Sequence, residues 1–214
     1  MENFFISTAI SYTNGPPHMG HAYEVIAADV IARFKRLEGK NVFFLTGTDE
    51  HGLKVQKKAI GLGISAQDLA DQMSKNFVEM GKALNCSSDD FIRTSEERHK
   101  VAVKEIWLKM KKNGDIYLDD YSGWYSIIDE AFYQESELIK GDSGIFFSPN
   151  NNPVEWLEEQ SYFFRLSSYE DKLLDLYEKN EIFVQPKSRM NEVRNFVEGG
   201  LKDISISRKG LEWG

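Results

Sequence analysis

The sequence predicts an α/β fold built around a mostly parallel sheet. Short apolar runs alternate with longer segments of helical periodicity through residues 1–113, and this alternation is typical of parallel β-α-β units. The 41% hydrophobic and 13% aromatic content is sufficient for a packed core. A change of pattern after residue 113 indicates a second, different module.

Two strands and four helices are predicted in the first part. The strands are expected at residues 3–10 and 41–47. The helices are expected at residues 20–38, 52–62, 65–84 and 96–113. Glycine follows three of these helices, at positions 39, 63 and 114, where a left-handed backbone commonly ends a helix. Ser65 is a suitable N-cap, with Asp68 three residues later.

Short aromatic runs separated by turn residues follow Gly114. Strands are predicted at residues 116–118, 123–127, 131–133, 145–147 and 160–166. Two helices are predicted, at residues 168–180 and 188–201. We interpret this region as an inserted or appended α+β module.

Composition restricts the classes of function. The net charge is −8 and the main basic group is only Lys109-Met110-Lys111-Lys112, so the chain alone should hold RNA weakly. Its single cysteine, Cys86, excludes an internal disulfide. No apolar run reaches about 18 residues, and the N-terminus lacks the pattern of a secretory signal. We therefore expect no membrane partner and a cytoplasmic location.

The segment Tyr12-Thr-Asn-Gly-Pro-Pro-His-Met-Gly-His21 carries the clearest chemical signal. It places His18 and His21 around Gly20 at a predicted junction between a strand and a helix. Free backbone N–H groups and the helix dipole favour anions at such a junction. Histidine can donate hydrogen bonds to phosphate, and glycine lets a flat ring or a phosphate approach the backbone closely. The segment therefore predicts a nucleotide phosphate site.

His-x-Gly-His in this setting resembles the HIGH signature of class I aminoacyl-tRNA synthetases. Three further blocks resemble the methionyl-tRNA synthetase family and occur in that family's order: Phe43 to Gly52, Asp89 to His99, and Asp203 to Arg208. The similarity covers essentially the whole chain. Four ordered blocks are far more specific than one His-x-Gly-His, which also fits small nucleotidyltransferases.

The resemblance implies a division of the chain. Residues 1–113 would form the first half of a Rossmann-like parallel sheet, the HIGH-type nucleotide-binding fold. Residues 114–185 would form an inserted α+β connective-peptide module with a zinc-less knuckle. Residues 186–214 would return toward the catalytic domain.

The resemblance also implies roles at the ATP site. His18 and His21 would be catalytic, because they would donate hydrogen bonds to the phosphates on which charge develops. Gly20 would let the adenine pack against the backbone. The alternative is that both histidines are ordinary surface residues at a helix start.

The methionine site is implied in the same way. Ala9, Ile10 and Tyr12 would line one wall of the side-chain pocket, where a thioether contacts apolar and aromatic groups favourably. Asp49 would hold the α-amino group of methionine, because a carboxylate is a natural partner of an ammonium group. On pattern alone, Ala9 and Ile10 fit strand core better, and Asp49 also fits a loop aspartate that caps the next helix.

Other positions are weaker candidates. Arg208 could reach phosphate or the carboxylate of methionine, or it could be a surface arginine paired with Asp203. Glu50 and His51 are further candidates, and His51 fits a solvated loop histidine equally well. His99 lies at a charged helix start and is expected to be solvated.

The insertion departs from the family pattern. Many members hold a structural zinc there through Cys-x-x-Cys pairs, but the matching positions here are Ser126 and Asp129. A tetrahedral zinc site needs several thiolate or imidazole ligands at short spacing. We therefore expect no metal site and no structural zinc, and a knuckle held by aromatic packing instead.

The chain also stops at Gly214, without a Lys-Met-Ser-Lys-Ser signature or a helical anticodon-reading domain. We expect a truncated N-terminal portion of a longer methionine–tRNA ligase, inactive by itself. The implied substrates are methionine, ATP with Mg²⁺, and tRNA(Met), which would bind mostly through parts absent from this chain. The alternatives are another class I synthetase, a small nucleotidyltransferase, and a non-catalytic binding module that keeps half of the fold.

Overall fold

The computed structural model describes residues 1–129, 131–141, 144–207 and 211–214, without the side chains of Tyr121 and Glu159. The chain divides into two compact units, residues 1–104 with 211–214, and residues 105–210. The predicted division into residues 1–113, 114–185 and 186–214 concerns segments of the chain rather than compact units, and it stays a prediction.

The first unit contains a parallel sheet with β3 at its centre. Its strands β1 to β4 are Asn3–Ser7, Ser11–Tyr12, Asn41–Asp49 and Asp90–Arg93. Strands β1 and β2 pair in turn along one edge of β3, and β4 pairs along the other edge. Helices α1 to α3 are Met19–Leu37, Leu53–Leu62 and Ala66–Ala83, and α4, Glu97–Lys112, follows β4.

The predicted helices of this unit are confirmed to within a few residues, and their caps explain the boundaries. The Ser65 hydroxyl accepts the Asp68 backbone N–H at 3.0 Å and begins α3. Gly63 has φ +68° and ends α2. The first predicted strand was too long, because β1 ends at Ser7 and residues 8–10 belong to no strand. Strand β4 was missed, because its apolar residues occupy only the two central positions between Asp90 and Arg93.

Two apolar clusters hold the helices on the sheet. Phe44 of β3 is fully buried, and the α1 residues Val25, Ala28 and Ala32 pack with it. A second cluster joins α2 to α3 through Val55, Ala59 and Leu69, with Tyr12 of β2 packed against it. These clusters fix the ends of β2 and β3 relative to the helices that follow them.

The second unit is built on an antiparallel sheet in the order β10-β9-β5-β6. The strands described in this unit, β5 to β10, are Ile116–Ser126, Ala131–Tyr133, Ile139–Lys140, Phe146–Phe147, Glu155–Phe164 and Ile204–Ser205, and β7 and β8 pair separately from the larger sheet. Helices α5 and α6 are Glu170–Lys179 and Lys187–Glu198, and they pack together around Tyr177, Met190 and Val197. The two separate strands predicted at 116–118 and 123–127 are one strand, because β5 pairs with β9 along its whole length.

The knuckle between β5 and β9 contains a polar cluster that the sequence interpretation missed. The Asp129 carboxylate accepts hydrogen bonds from the Ser148 hydroxyl, from Asn150 Nδ2 at 3.2 Å and from Asn152 Nδ2 at 2.7 Å. The Ser126 hydroxyl accepts the Asp129 backbone N–H at 3.2 Å. These donors, the Ser148 hydroxyl first, hold the pKa of Asp129 well below its usual range.

The expected aromatic packing is also present in the knuckle. The Tyr125 and Phe132 rings lie 4.7 Å apart, and the Trp124 and Phe146 rings lie 4.6 Å apart. Aromatic packing alone was therefore an incomplete account, because the Asp129 cluster also ties two loops together. Within the described residues, no helix is long and apolar enough to cross a membrane.

Candidate active site

The two histidines of the His-x-Gly-His segment cap helix α1. His18 is the N-cap residue, and its Nδ1 accepts the Gly20 backbone N–H at 3.1 Å. His21 reaches back, and its Nδ1 accepts the His18 backbone N–H at 3.1 Å. This reciprocal arrangement is a capping box in which imidazoles replace the usual Ser and Glu. The helix start therefore fixes both rings.

The capping bonds also set the position of the imidazole protons. In a neutral imidazole one nitrogen accepts and the other donates, so a ring that accepts through Nδ1 carries its proton on Nε2. The rings of His18 and His21 stack with their centroids 3.8 Å apart. Burial, and then the neighbouring His18, lower the pKa of His21 and favour its neutral form. Two Nε2–H donors result at the amino end of α1.

Gly20 protects this geometry. A Cβ atom at Gly20 would lie 3.0 Å from Cε1 and 3.1 Å from Nδ1 of His18, which is closer than ordinary packing allows. A larger residue would therefore require the His18 ring to shift by a few tenths of an ångström within its cap. Glycine also leaves this stretch of backbone exposed and open to a flat ligand.

Tyr12 and Asp49 are opposite each other where β2 pairs with the end of β3. The Asp49 backbone oxygen accepts the Thr13 N–H at 3.1 Å, which fixes this register. Tyr12 also packs against the α2–α3 cluster. Two residues that are far apart in the sequence, both predicted to bind methionine, are thus neighbours at the carboxyl end of the sheet.

Ala9 and Ile10 lie in the connection between β1 and β2 and are exposed, so they do not belong to the core of a strand. The Ala9 N–H donates to Glu24 Oε1 at 2.7 Å, and this bond ties the connection to α1. The described candidate residues therefore lie at or just after the carboxyl ends of parallel strands, where ligands bind in open sheets of this type.

Glu50 is a buried residue whose hydrogen bonds anchor the end of β3. It is fully buried, and its carboxylate accepts Arg93 Nε at 2.7 Å, Arg93 Nη2 at 3.0 Å and the Thr48 hydroxyl at 2.7 Å. The Ser95 hydroxyl donates to the same carboxylate. The Thr94 hydroxyl accepts the Glu50 N–H at 2.9 Å. The segment that carries Asp49 is thereby fastened to β4 and the loop after it.

Trp213 also fastens the segment that follows Asp49. Its Nε1 donates to the Glu50 backbone oxygen, and its own backbone oxygen accepts the Gly52 N–H at 3.0 Å. The Trp213 ring lies 5.2 Å from the His51 ring. Burial, followed by the charge of Lys100, lowers the pKa of His51. His51 is half-buried and therefore not a freely solvated loop histidine.

The predicted candidate Arg208 lies outside the described residues. His99, expected to be solvated, is half-buried and lines a cleft with His51. Sequence reasoning also missed the anchoring role of Arg93. Its position inside the Asp89 to His99 block was the only available signal.

Comparisons with known proteins agree on one family. The profile described as "tRNA synthetases class I (M)" matches residues 4–145 and 147–214. The methionine–tRNA ligase of Rhizobium meliloti (strain 1021) is 58% identical over 212 residues, which are 99% of this chain and 41% of that protein. That of Brucella suis biovar 1 (strain 1330) is 55% identical over 213 residues, again 41% of its length.

Solved structures give the same result. The Mycobacterium tuberculosis methionyl-tRNA synthetase in complex with methionyl-adenylate matches with a TM-score of 0.93 and 53% identity, over 100% of this chain and 42% of that one. The apo form of that enzyme matches with a TM-score of 0.80. This chain thus spans about two fifths of the length of the relatives it matches.

Proposed function

This chain belongs to the class I (M) family of tRNA synthetases, and from this premise we propose that it forms part of a methionine–tRNA ligase. The observation that carries the proposal is the histidine capping box, which occupies both Nδ1 atoms and leaves two Nε2–H groups as donors at the amino end of α1. The pairing of Tyr12 with Asp49 supplies a second, neighbouring set of ligand groups.

The first step would join methionine to ATP. A methionine carboxylate oxygen attacks the α-phosphorus, a new oxygen–phosphorus bond forms, and pyrophosphate leaves with the electrons of the broken bond. The protein supplies no nucleophile, so its contribution is positioning and charge stabilisation. Nε2–H groups of His18 and His21 would donate to the phosphate oxygens, and Gly20 would leave room for the adenine.

Methionine would bind beside the end of β3. The Asp49 carboxylate would accept hydrogen bonds from the substrate ammonium group, and Ala9, Ile10 and Tyr12 would contact the thioether side chain. The buried anchor of Glu50 would keep Asp49 in place with little reorganisation on binding. Arg208 would approach the phosphates or the substrate carboxylate.

The second step would transfer the methionyl group. A ribose hydroxyl at the 3′ end of tRNA(Met) would attack the carbonyl carbon of the adenylate and form an ester bond. AMP would leave with the electrons of the broken carbon–oxygen bond, and the hydroxyl proton would pass to the departing phosphate. Mg²⁺ would arrive on the phosphates of ATP. We propose no structural zinc, and a cytoplasmic site of action.

The test is amino-acid-dependent ATP–pyrophosphate exchange by the full-length gene product that carries this chain, with each of the twenty amino acids and Mg²⁺. We expect exchange with methionine only. Exchange with a different amino acid would keep the class of reaction and refute the methionine pocket. No exchange from a folded protein would favour a non-catalytic binding module.

A further inference from the structure

A buried aromatic ring of helix α3 contacts the His21 imidazole. The centroids of the Phe77 and His21 rings lie 5.0 Å apart at an interplanar angle of 74°, which is an edge-to-face arrangement. Phe77 is 4% exposed. Both residues belong to the first unit, so this contact forms within one compact part of the chain.

The buried faces of α1 and α3 explain why these two rings meet. The buried apolar residues of α1 recur at helical spacing from Val25, and His21 lies one turn before it. On α3, Leu69 and Phe77 are about two turns apart and are both buried. Leu69 packs with α2, whereas Phe77 contacts the start of α1. Helix α3 therefore touches α2 with one part of its buried face and His21 with another.

Phe77 adds a restraint that the capping box lacks. The cap hydrogen bond fixes the position of His21 Nδ1 but leaves the plane of the ring free to tilt about that atom. Two ring contacts limit this tilt, the stack on His18 with an interplanar angle of 24° and the edge-to-face contact with Phe77. His18 is exposed and Phe77 is buried, so the contact with Phe77 is the one that the core supports.

We propose that Phe77 is a positioning residue that holds the His21 imidazole in the orientation presenting its Nε2–H to the ATP phosphates. This inference rests on the proposed function, because Phe77 acts only through His21. A donor that is already in place stabilises the charge that develops in the transition state more than it stabilises bound ATP. Loss of the Phe77 ring should therefore lower kcat more than it raises the KM for ATP.

The same contact limits the access of water to His21. Burial is the main reason that the pKa of His21 is lowered. The neighbouring His18 lowers this pKa further, and Glu24, three residues later on α1, raises it. Phe77 carries no charge, so a residue without the ring would change this pKa through the exposure of the imidazole. The pKa of His21 therefore reports on the contact itself, independently of the free energy of unfolding.

The first variant is Phe77→Leu in the full-length gene product, which keeps an apolar side chain and removes the ring. We expect the kcat of methionine-dependent ATP–pyrophosphate exchange to fall about tenfold and the KM for ATP to change less than about twofold. NMR of isotopically labelled histidine, with the His21 signal assigned by its loss in His21→Gln, should show the His21 pKa rising toward its ordinary value of about 6.5. Phe77→Met should give the same pattern if Phe77→Leu is unstable.

Two controls separate positioning from general packing. Phe77→Tyr keeps the ring, and the cavity of about 210 Å³ that Phe77 borders has room for a hydroxyl, so kcat and the His21 pKa should stay near their wild-type values. Met80→Ala loosens the packing of α3 on the α1 cluster without removing a ring. It should lower the free energy of unfolding and leave both quantities unchanged.

Two outcomes would overturn the inference and leave the proposed function standing. One is an unchanged kcat and His21 pKa in folded Phe77→Leu, and the other is equal changes of both in Met80→Ala. No exchange by the wild-type protein would instead refute the proposed function.

Discussion

The Arg93 guanidinium grips the fully buried Glu50 carboxylate through two hydrogen bonds, Nε at 2.7 Å and Nη2 at 3.0 Å. The bond to Glu50 is the main reason that the pKa of Arg93 is raised above its usual range. Because Asp49 immediately precedes Glu50, this ion pair sets the position of a carboxylate proposed to bind methionine.

We expect Glu50→Gln to destabilise the protein by about 3 kcal/mol, because it removes the buried counter-charge of the Arg93 guanidinium and leaves it only the exposed Asp71 carboxylate, 2.5 Å from Nη2. Urea unfolding measures this loss. Arg98→Gln removes a more exposed pair with Asp90 and should change the free energy of unfolding little. Equal losses in both variants would contradict the anchoring role.

In the folded Glu50→Gln enzyme the KM for methionine should rise more than the KM for ATP. The reason is that Asp49 lies next to Glu50, whereas the capping histidines belong to a different strand–helix junction. Exchange assays at varied methionine concentration and at varied ATP concentration measure the two KM values separately. A parallel rise in both constants would indicate a general loss of folding instead.

The two roles of His18 can be separated by substitution. Asparagine is a good N-cap but lacks the Nε2 donor, so His18→Asn should keep the stability of α1 and lower the exchange rate about 100-fold. His18→Ala should lower the rate similarly and also cost about 1 kcal/mol of stability. Full activity in His18→Asn would show that the histidine serves only as a cap.

The lowered pKa of His21 predicts a pH dependence of stability. The contribution of neutral His21 is complete above its ordinary pKa of about 6.5 and is lost as the pH falls through the lower pKa of the folded state. His21→Gln keeps a capping-box side chain that does not titrate. The urea midpoint should therefore fall less between about pH 7 and pH 5 in this variant than in the wild type. An equal fall of the urea midpoint in the variant and the wild type would show that His21 does not contribute to the pH dependence of stability.

Gly47 is required by the close approach of β3 to β4. A Cβ atom there would lie 2.1 Å from the Ile92 backbone oxygen, so Gly47→Ala should cost about 3 kcal/mol by forcing the strands apart. Gly61 in α2 has no atom within 4 Å of the same position, and Gly61→Ala should stabilise by about 0.5 kcal/mol. Thermal unfolding of both variants measures these changes. Similar losses of stability in both would contradict the requirement for glycine at position 47.

The sequence predicted the helices well, because their caps are local. Ser65 and Gly63 act through bonds to residues three or four positions away. The position of His18 at a helix start followed from the same local rules. Its use of Nδ1 as the cap acceptor did not, because side-chain geometry decides which nitrogen is free.

Contacts between residues far apart in the sequence explain the features that the sequence analysis predicted wrongly or missed. Residues 116–126 form one strand only because β9 lies beside them. Glu50 looks like a loop carboxylate until Arg93, 43 positions later, is placed next to it. The same applies to Asp129, whose carboxylate accepts hydrogen bonds from residues 19 to 23 positions away. Local patterns carry no information about such pairs, whereas the ordered family blocks already contained Glu50 and Arg93.

The Asp129 cluster has a consequence for how the protein matures. A knuckle fastened by aspartate, serine and asparagine is complete when the polypeptide leaves the ribosome. Among the described residues, the groups that fasten it include no thiol that peroxide could oxidise. The hydrogen bonds of the Asp129 cluster therefore form and break independently of any change in thiol redox state.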